Sequence, residues 1–245
     1  MSANAPRVAP VHLPGEGPLA LVMDVDSTLI QDEVIELIAD HAGTREEVAA
    51  VTQAAMRGEL DFAASLHARV ATLAGLPVEV LDRVRARVRL MPGARTLVTT
   101  LVEAGHTVGL VSGWFTEVVD DLARELGIAT VAANTLEVVD GRLTGKVVGE
   151  VVDRAAKADF LIRLAAGAGI EMDRTVAVGD GANDLDMMAA AEVGIAFCAK
   201  PAVRAQADVA IDEPDLRRVL DVLGLVPLQQ AADEGGRPLA PLGRG

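Results

Sequence analysis

Two aspartates separated by one residue stand near the beginning of the chain. Asp24 and Asp26 follow Leu19–Met23, a short continuous apolar run that is typical of a strand buried on both faces. Because side chains alternate along a strand, both carboxylates are expected to point the same way at its carboxyl end, where open parallel sheets bind ligands. Two acids this close repel each other, so a proton or a cation is needed beside them. Taken alone, the pair also fits a polar strand end in a solvated turn.

A second group of acids follows another apolar run. Thr175–Val178 leads into Gly179–Asp184, which contains Asp180, Asn183 and Asp184. Taken alone, Asp180 or Asn183 is also a suitable N-cap for a following helix. If both runs are strands of one sheet, four carboxylates meet at one edge, and such a group requires a divalent cation. Hard oxygen ligands with few other protein donors favour Mg²⁺.

A third apolar run ends at a candidate anion site. Thr107–Val111 leads into Ser112-Gly113, and Trp114-Phe115-Thr116 is predicted to begin a helix. A hydroxyl and free backbone N–H groups at a helix N-terminus bind anions, although a simple Ser or Thr N-cap fits the same residues. Lys157 begins a later predicted helix, and by itself it also fits an ordinary surface lysine.

Strands and helices alternate around these residues. Two weaker apolar runs, Gly194–Phe197 and Asp208–Ile211, extend the set of predicted strands. The helices between the strands are predicted at Thr116–Leu126, Ala155–Ala166 and Asn183–Glu192. Such alternation implies right-handed crossovers, and therefore an α/β fold with a doubly wound parallel sheet.

Two stretches interrupt the alternation. Residues 31–90 show only helical patterns, the last of them over Pro77–Leu90, and are expected to form an all-helical cap inserted after the first strand. Asp140-Gly141 lies between two apolar segments, which predicts a β-hairpin. The expected organisation is a leader at 1–18, a discontinuous core at 19–30 and 91–226 with the hairpin at 135–149, the cap at 31–90, and a disordered tail at 227–245.

The charge balance and the single cysteine limit the class of protein. The 36 acidic and 22 basic residues give a net charge of −14, which argues against nucleic acid or an anionic membrane as partner, because both attract basic surfaces. Cys198 excludes a disulfide within the chain and, in an apolar run, is expected to be an inert buried thiol. No apolar stretch reaches the length of a membrane span, so the expected location is the cytoplasm.

The motifs together resemble those of the haloacid dehalogenase superfamily. The matching segments, in the order and spacing of that superfamily, are Asp24-Val25-Asp26-Ser27-Thr28, Val111-Ser112-Gly113, Lys157 and Gly179-Asp180-Gly181-Ala182-Asn183-Asp184. From about Leu19 to Leu223, the helical cap included, the chain is similar to the bacterial and archaeal phosphoserine phosphatases of that superfamily. The resemblance implies a Rossmann-like core and a reaction that passes through a phosphorylated aspartate.

The resemblance also implies a role for each motif residue. Asp24 would be the nucleophile that attacks phosphorus, and Asp26 the general acid and base. Mg²⁺ would be held by Asp24, the backbone carbonyl of Asp26 and Asp180, with support from Asp184. By the same resemblance, the groups that bind the phosphoryl oxygens are Ser112, Gly113, Lys157 and Asn183.

One cation in the cap interrupts an apolar helical face. Arg69 shares this face with Phe62, and a charge there needs a partner unless it lies at the edge of the face with its head in water. Glu33 equally fits an ordinary acid in the first turn of a helix. In the family pattern Glu33 binds an α-ammonium group and Arg69 an α-carboxylate, while Met56 and Phe62 line the pocket. The same pattern has Gly after Ser-Gly, whereas this chain has Trp114.

The function implied by the resemblance is Mg²⁺-dependent hydrolysis of O-phospho-L-serine to L-serine and phosphate, the last step of serine biosynthesis. A phosphatase for another small phosphometabolite, or a phosphotransferase that uses a small alcohol such as homoserine, would need the same catalytic residues. A non-catalytic phospho-acceptor protein also clusters acids around Mg²⁺. Asp26 argues against that last alternative, because a general base beside an aspartyl-phosphate promotes its hydrolysis.

Overall fold

The structure, a computed structural model, describes Val11, Leu13 and residues 16–56 and 61–227. All but the first residue of the predicted tail, and much of the predicted leader, lie outside the described residues. Where the leader is described, the backbone nitrogen of Val11 donates a 2.7 Å hydrogen bond to the carbonyl oxygen of Val222, and Leu13 packs against the core.

A seven-stranded sheet forms the centre of the molecule. Its strands are β1 (Ala20–Met23), β2 (Thr107–Phe115), β3 (Thr130–Val139), β4 (Arg142–Val148), β5 (Thr175–Gly179), β6 (Val193–Phe197) and β7 (Val209–Ile211). Their spatial order is β4-β3-β2-β1-β5-β6-β7. All neighbouring strands are parallel except β3 and β4, which form an antiparallel hairpin. The predicted α/β class with a doubly wound sheet is confirmed.

Helices cover both faces of the sheet. In chain order they are α1 (Val34–Ala42), α2 (Arg45–Met56), α3 (Phe62–Ala71), α4 (Val80–Arg85), α5 (Ala94–Glu103), α6 (Thr116–Leu126), α7 (Arg154–Ala168), α8 (Leu185–Ala190), α9 (Pro201–Arg204) and α10 (Arg217–Leu223). Leu21 and Met23 of β1 belong to the same buried cluster as side chains of α5, α6 and α10, whereas Ala20 and Val22 pack with α7 and α8. No helix in the described ranges is long and apolar enough to cross a membrane.

Strand β1 lies between β2 and β5, and this position brings the chemistry-bearing segments together. Met23 is in register with Leu110 of β2 and with Val178 of β5. The residues that follow these three strands therefore leave the sheet at the same edge. All four residues of β1 are fully buried, as an apolar strand covered on both faces requires.

Helices α1–α4 lie between β1 and β2 and form what we call the cap. The chain enters and leaves it side by side, since Ile30 and Leu90 form a β-bridge and the nitrogen of Met91 donates to Leu29 O at 2.8 Å. The far end of the cap is tied to the hairpin, where the nitrogen of Gly75 donates to Leu143 O and the nitrogen of Leu143 donates to Leu76 O.

Several predicted elements differ from the observed ones. The helix predicted over Pro77–Leu90 is confined to Val80–Arg85, because Leu90 pairs with Ile30 instead of continuing a helix. Helix α5 follows Gly93, at φ +79, in a segment for which no element was predicted. The helix predicted at Thr116–Leu126 is confirmed as α6, but Trp114 and Phe115, expected at its start, belong to β2. Cys198, expected to be buried, is exposed.

Candidate active site

The first acidic pair sits where β1 gives way to a tight turn. The nitrogen of Asp24 still pairs with the carbonyl oxygen of Val178 at 2.9 Å, which holds this residue at the edge of the sheet. The turn Val25–Leu29 follows, and Ser27 adopts φ +55, a left-handed conformation that non-glycine residues seldom take. Asp24 and Asp26 are each only 4% exposed, so two carboxylates are buried within three residues of each other.

A buried lysine neutralises part of this charge. The Lys157 ammonium donates hydrogen bonds of 2.7 Å to Asp24 Oδ1 and to Asp184 Oδ1. The side chains of Lys157 and Asp184 are wholly buried. Helix α7 places the lysine in its first turn, because Asp153 caps the helix by accepting from the nitrogen of Ala156. Burial by itself would lower the pKa of Lys157, but the two carboxylates raise it, so the ammonium keeps its charge.

Three carboxylates converge in a geometry that suits a metal ion. One oxygen each of Asp24, Asp180 and Asp184 lies within 4.8 Å of the others. All are hard oxygen donors, which fits a divalent cation of the Mg²⁺ or Ca²⁺ type. Gly179 permits this arrangement, since a Cβ at its position would collide with the Asp184 carboxylate. Asp184 is further fixed by the nitrogen of Gly181, which donates to its Oδ2 at 3.0 Å.

The site holds more negative charge than its lysine can neutralise. Burial and the neighbouring Asp184 and Asp180 raise the pKa of Asp24 well above its ordinary value, against the opposing charge of Lys157. Burial and the charges of Asp184 and Glu33 raise the pKa of Asp180 to about 7. A divalent cation among these oxygens would replace the protons that such raised pKa values favour.

Asp26 is positioned differently from Asp24. Its Oδ1 accepts a 2.6 Å hydrogen bond from the nitrogen of Val34, and its Oδ2 accepts one of 3.4 Å from the hydroxyl of Ser112. Burial, and then the charges of Glu33 and Asp24, raise its pKa well above the ordinary value. A carboxyl group that retains its proton at higher pH can serve as a proton donor beside Asp24.

Strand β2 contains Ser112-Gly113 and continues for two more residues, so the helix begins only at Thr116. Ser112 is fully buried in β2, and its hydroxyl accepts a 3.0 Å hydrogen bond from the nitrogen of Trp114. Asn134 of β3 donates from Nδ2 to Gly113 O at 2.7 Å, and its Oδ1 accepts from the nitrogen of Val152 at 2.8 Å. Asn134 is a buried polar residue of the site that the sequence motifs do not include. A lone amide within a β-strand pattern was its only signal.

Side chains of the cap lie over this edge of the sheet. Phe62 covers Gly113 so closely that a Cβ there would lie 2.8 Å from the ring. Arg69 is only 8% exposed, and its guanidinium carbon lies 4.7 Å from the centre of the Trp114 ring. Burial lowers the pKa of Arg69, and the nearby charges of Glu33 and Asp26 oppose that shift.

The remaining predicted site residues are placed as follows. Glu33 Oε1 accepts a 2.7 Å hydrogen bond from the hydroxyl of Ser27, and burial is the main cause that raises its pKa. Asn183 is half-buried and lies against Gly181, in the short turn before α8. Met56 ends α2, and its side chain lies outside the described residues.

Comparison with known proteins agrees with this architecture. Residues 21–189 match the family of haloacid dehalogenase-like hydrolases. A phosphoserine phosphatase of Streptomyces coelicolor is 63% identical over 214 residues, which cover 87% of this chain and 52% of that protein. One of Streptococcus thermophilus is 55% identical over 203 residues, covering 83% of this chain and 94% of that protein.

A solved structure extends the likeness to three dimensions. A phospho-aspartyl intermediate analogue of phosphoserine phosphatase superposes with a TM-score of 0.79 at 42% identity, covering 84% of this chain and 98% of the other. The chain spans about half the length of the Streptomyces coelicolor protein and of a Mycobacterium tuberculosis relative named phosphoserine phosphatase SerB2, at 52% and 53%.

Proposed function

Because the chain belongs to the haloacid dehalogenase-like hydrolase family, we propose that it is a Mg²⁺-dependent phosphatase that hydrolyses O-phospho-L-serine. One observation carries this proposal. Asp24, which accepts a 2.7 Å hydrogen bond from Lys157, is buried together with a second carboxyl group two residues later, that of Asp26. The names of the relatives support the choice of substrate. The single cysteine and the small-molecule substrate are consistent with a cytoplasmic location.

The first half of the reaction forms a phosphorylated aspartate. A carboxylate oxygen of Asp24 attacks phosphorus while the bond from phosphorus to the serine oxygen breaks. Asp26, two residues on, gives its proton to the departing serine oxygen, which avoids release of an alkoxide. Asp24, the Asp26 carbonyl and Asp180, with support from Asp184, would hold Mg²⁺, whose positive charge would let a carboxylate approach an anionic phosphoryl group.

The second half regenerates the enzyme. Asp26, now a carboxylate, takes a proton from a water molecule as that water attacks phosphorus. The bond between phosphorus and the Asp24 oxygen breaks, and inorganic phosphate leaves. Ser112, Lys157 and the nitrogen of Gly113 bind the phosphoryl oxygens in both halves, and Asn183 lies beside them.

Two charges of opposite sign account for the choice of an amino-acid ester. We assign Glu33 to the α-ammonium group of the substrate and Arg69 to its α-carboxylate. Phe62, already packed on Gly113, closes the pocket over the phosphoryl group and excludes water. Met56 is assigned to the same pocket by the family pattern alone. A simple sugar phosphate has neither an ammonium group nor a carboxylate to pair with these two charges.

Phosphate release by the purified chain tests the proposal. After removal of metal with a chelator, the protein is assayed on phosphoserine, phosphothreonine and glucose 6-phosphate, with and without Mg²⁺. We expect release from phosphoserine to exceed release from the other esters by at least about tenfold and to require the cation. Hydrolysis at equal rates for all three esters, or activity that survives metal removal, would refute it. Homoserine in the assay separates hydrolysis from transfer, since a transferase would form phosphohomoserine in place of free phosphate.

A further inference from the structure

Trp114 is the residue that departs from the family pattern, and its position is fixed from several sides. It is the second-last residue of β2 and only 8% exposed. Its nitrogen donates to the Ser112 hydroxyl at 3.0 Å, and its ring packs edge-on against Phe115 with 5.8 Å between centroids. The backbone of Trp114 therefore belongs to the phosphate side of the site, while its ring extends to the cap.

The ring meets the one cap side chain that the proposed function assigns to the substrate carboxylate. The guanidinium of Arg69 lies over the face of the indole at 4.7 Å, a cation–π arrangement. The Nε of Arg69 donates to Ser65 O at 3.1 Å, one turn earlier in α3. Within the described part of the chain, no acidic side chain forms an ion pair with Arg69.

This arrangement leaves the outer edge of the guanidinium available. Stacking uses its face and the bond to Ser65 uses Nε, so among the described residues the two terminal nitrogens retain their donors for a planar, two-pronged contact. An arginine on a flexible stem would otherwise have to be ordered each time a substrate binds, which weakens binding.

We propose that Trp114 is a positioning residue that holds Arg69 ready for the carboxylate of the substrate, and thereby strengthens the binding of amino-acid phosphates. The inference rests on the proposed function for the identity of the ligand. The contact between Trp114 and Arg69 does not depend on it and can be tested separately.

Kinetics on two esters that differ in the carboxylate test the specificity role. O-phosphoserine is compared with O-phosphoethanolamine, which keeps the ammonium group and lacks the carboxylate. For Trp114→Gly we expect KM for phosphoserine to rise about tenfold at unchanged kcat, with little change in KM for phosphoethanolamine. Trp114→Phe, which retains an aromatic face, should recover most of the loss. In an Arg69→Ala background, Trp114→Gly should cost nothing further on phosphoserine.

Equal losses on both esters, failure of Trp114→Phe to recover KM, or additive effects of the two substitutions would overturn the inference. Failure of the unmodified chain to hydrolyse phosphoserine would instead refute the proposed function, and the assigned ligand with it.

Fluorescence tests the contact without any substrate. Trp114 is the only tryptophan of the chain, so the intrinsic emission reports on this ring alone. Arg69→Ala should make the ring more accessible to acrylamide quenching. Arg87→Ala, a change of an exposed cap arginine paired with Asp40, is the control and should leave quenching unchanged. Equal quenching of Arg69→Ala and the unmodified protein would show that the stack does not form, whatever the substrate.

Discussion

At the scale of single residues, the site contains more buried carboxylates than buried cations. Lys157 bonds to two carboxylates, Asp24 and Asp184, and the charge of Arg69 acts on Glu33 and Asp26. Asp180 adds a further acid to the same edge. Buried carboxylates in excess of their cations raise one another's pKa values and oppose folding unless a cation joins them. The same excess equips the site to bind a metal and to hold a proton on Asp26.

Replacing Asp24, the proposed nucleophile, separates the effect on catalysis from the effect on folding. For Asp24→Asn we expect turnover to fall by at least about 10³-fold, because an amide cannot form the aspartyl-phosphate. The free energy of unfolding of the metal-free protein should be unchanged or higher, since Lys157 keeps Asp184 as a partner and one repelling charge is gone. Phosphoserine turnover and urea unfolding measure the two effects, with the exposed Asp120→Asn as control. Large destabilisation of the metal-free variant would contradict this account of the charge.

The sequence predicts a site residue when the pattern of strands already implies which other residues will lie beside it. Asp24, Asp180 and Asp184 follow apolar runs, and carboxyl ends of parallel strands share one edge, so their proximity could be expected. Asn134 could not be predicted in the same way, since it joins the carbonyl of Gly113 in β2 to the nitrogen of Val152 in the segment between β4 and α7, and the strand pattern implies neither contact. The contact of Trp114 likewise depends on where the cap comes to rest.

At the scale of elements, the cap is held at both ends. Arg89 and Asp32 form an ion pair beside the paired segments that lead into and out of the cap. Arg85 of α4 bonds to Asp121 of α6, and backbone bonds join Gly75 to the hairpin at Leu143. The sequence predicts a helical cap from its 3.6-residue pattern but misplaces its last helix, since apolar residues at Val88 and Leu90 fit a helix and a bridging strand alike.

Substitution of a glycine on the hairpin tests how closely the cap packs against the hairpin. Gly145 of β4 has φ +83, and a Cβ there would lie 3.0 Å from the Cβ of Ala74 and 3.2 Å from the backbone of Ala71. Gly149 has φ +81 with nothing within 4 Å, so it serves as a matched control. Both changes to Ala should cost about 1 kcal/mol for the left-handed backbone, and Gly145→Ala about 1 kcal/mol more for crowding the cap. The free energy of unfolding in urea measures both, and equal losses would mean that the hairpin and the cap adjust freely.

At the scale of the whole molecule, the net charge of −14 and the buried acids both lower the stability of the folded protein, because like charges repel. Surface repulsion among unpaired acids is screened by monovalent salt, whereas the buried cluster is shielded from it. A divalent cation placed among Asp24, Asp180 and Asp184 relieves the buried part. The effects of salt and of Mg²⁺ on stability therefore distinguish surface repulsion from repulsion within the buried cluster, which a change of pH would alter together.

Stability of the metal-free protein should consequently fall as pH rises towards neutrality. Asp180 has an ordinary pKa of 3.8 and one of about 7 in the folded protein, so between these values the folded state holds a proton that the unfolded chain has released. By linkage, the free energy of unfolding decreases through that window, and the raised pKa values of Asp24 and Asp26 add to the decrease. His106, whose pKa is lowered chiefly by burial, acts in the opposite direction below its ordinary 6.5.

Asp180→Asn isolates the effect from that histidine. Thermal unfolding in chelator between about pH 5 and pH 8 should show a steeper loss of Tm for the unmodified protein than for Asp180→Asn. Mg²⁺ should raise the Tm of the unmodified protein more at pH 8 than at pH 5, because at pH 5 it must displace protons from the same oxygens. Sodium chloride of equal ionic strength should not reproduce this pH-dependent gain. Parallel pH profiles for the two proteins would show that Asp180 does not contribute to the repulsion among the buried carboxylates. The argument for a cation at this edge of the sheet would then fail.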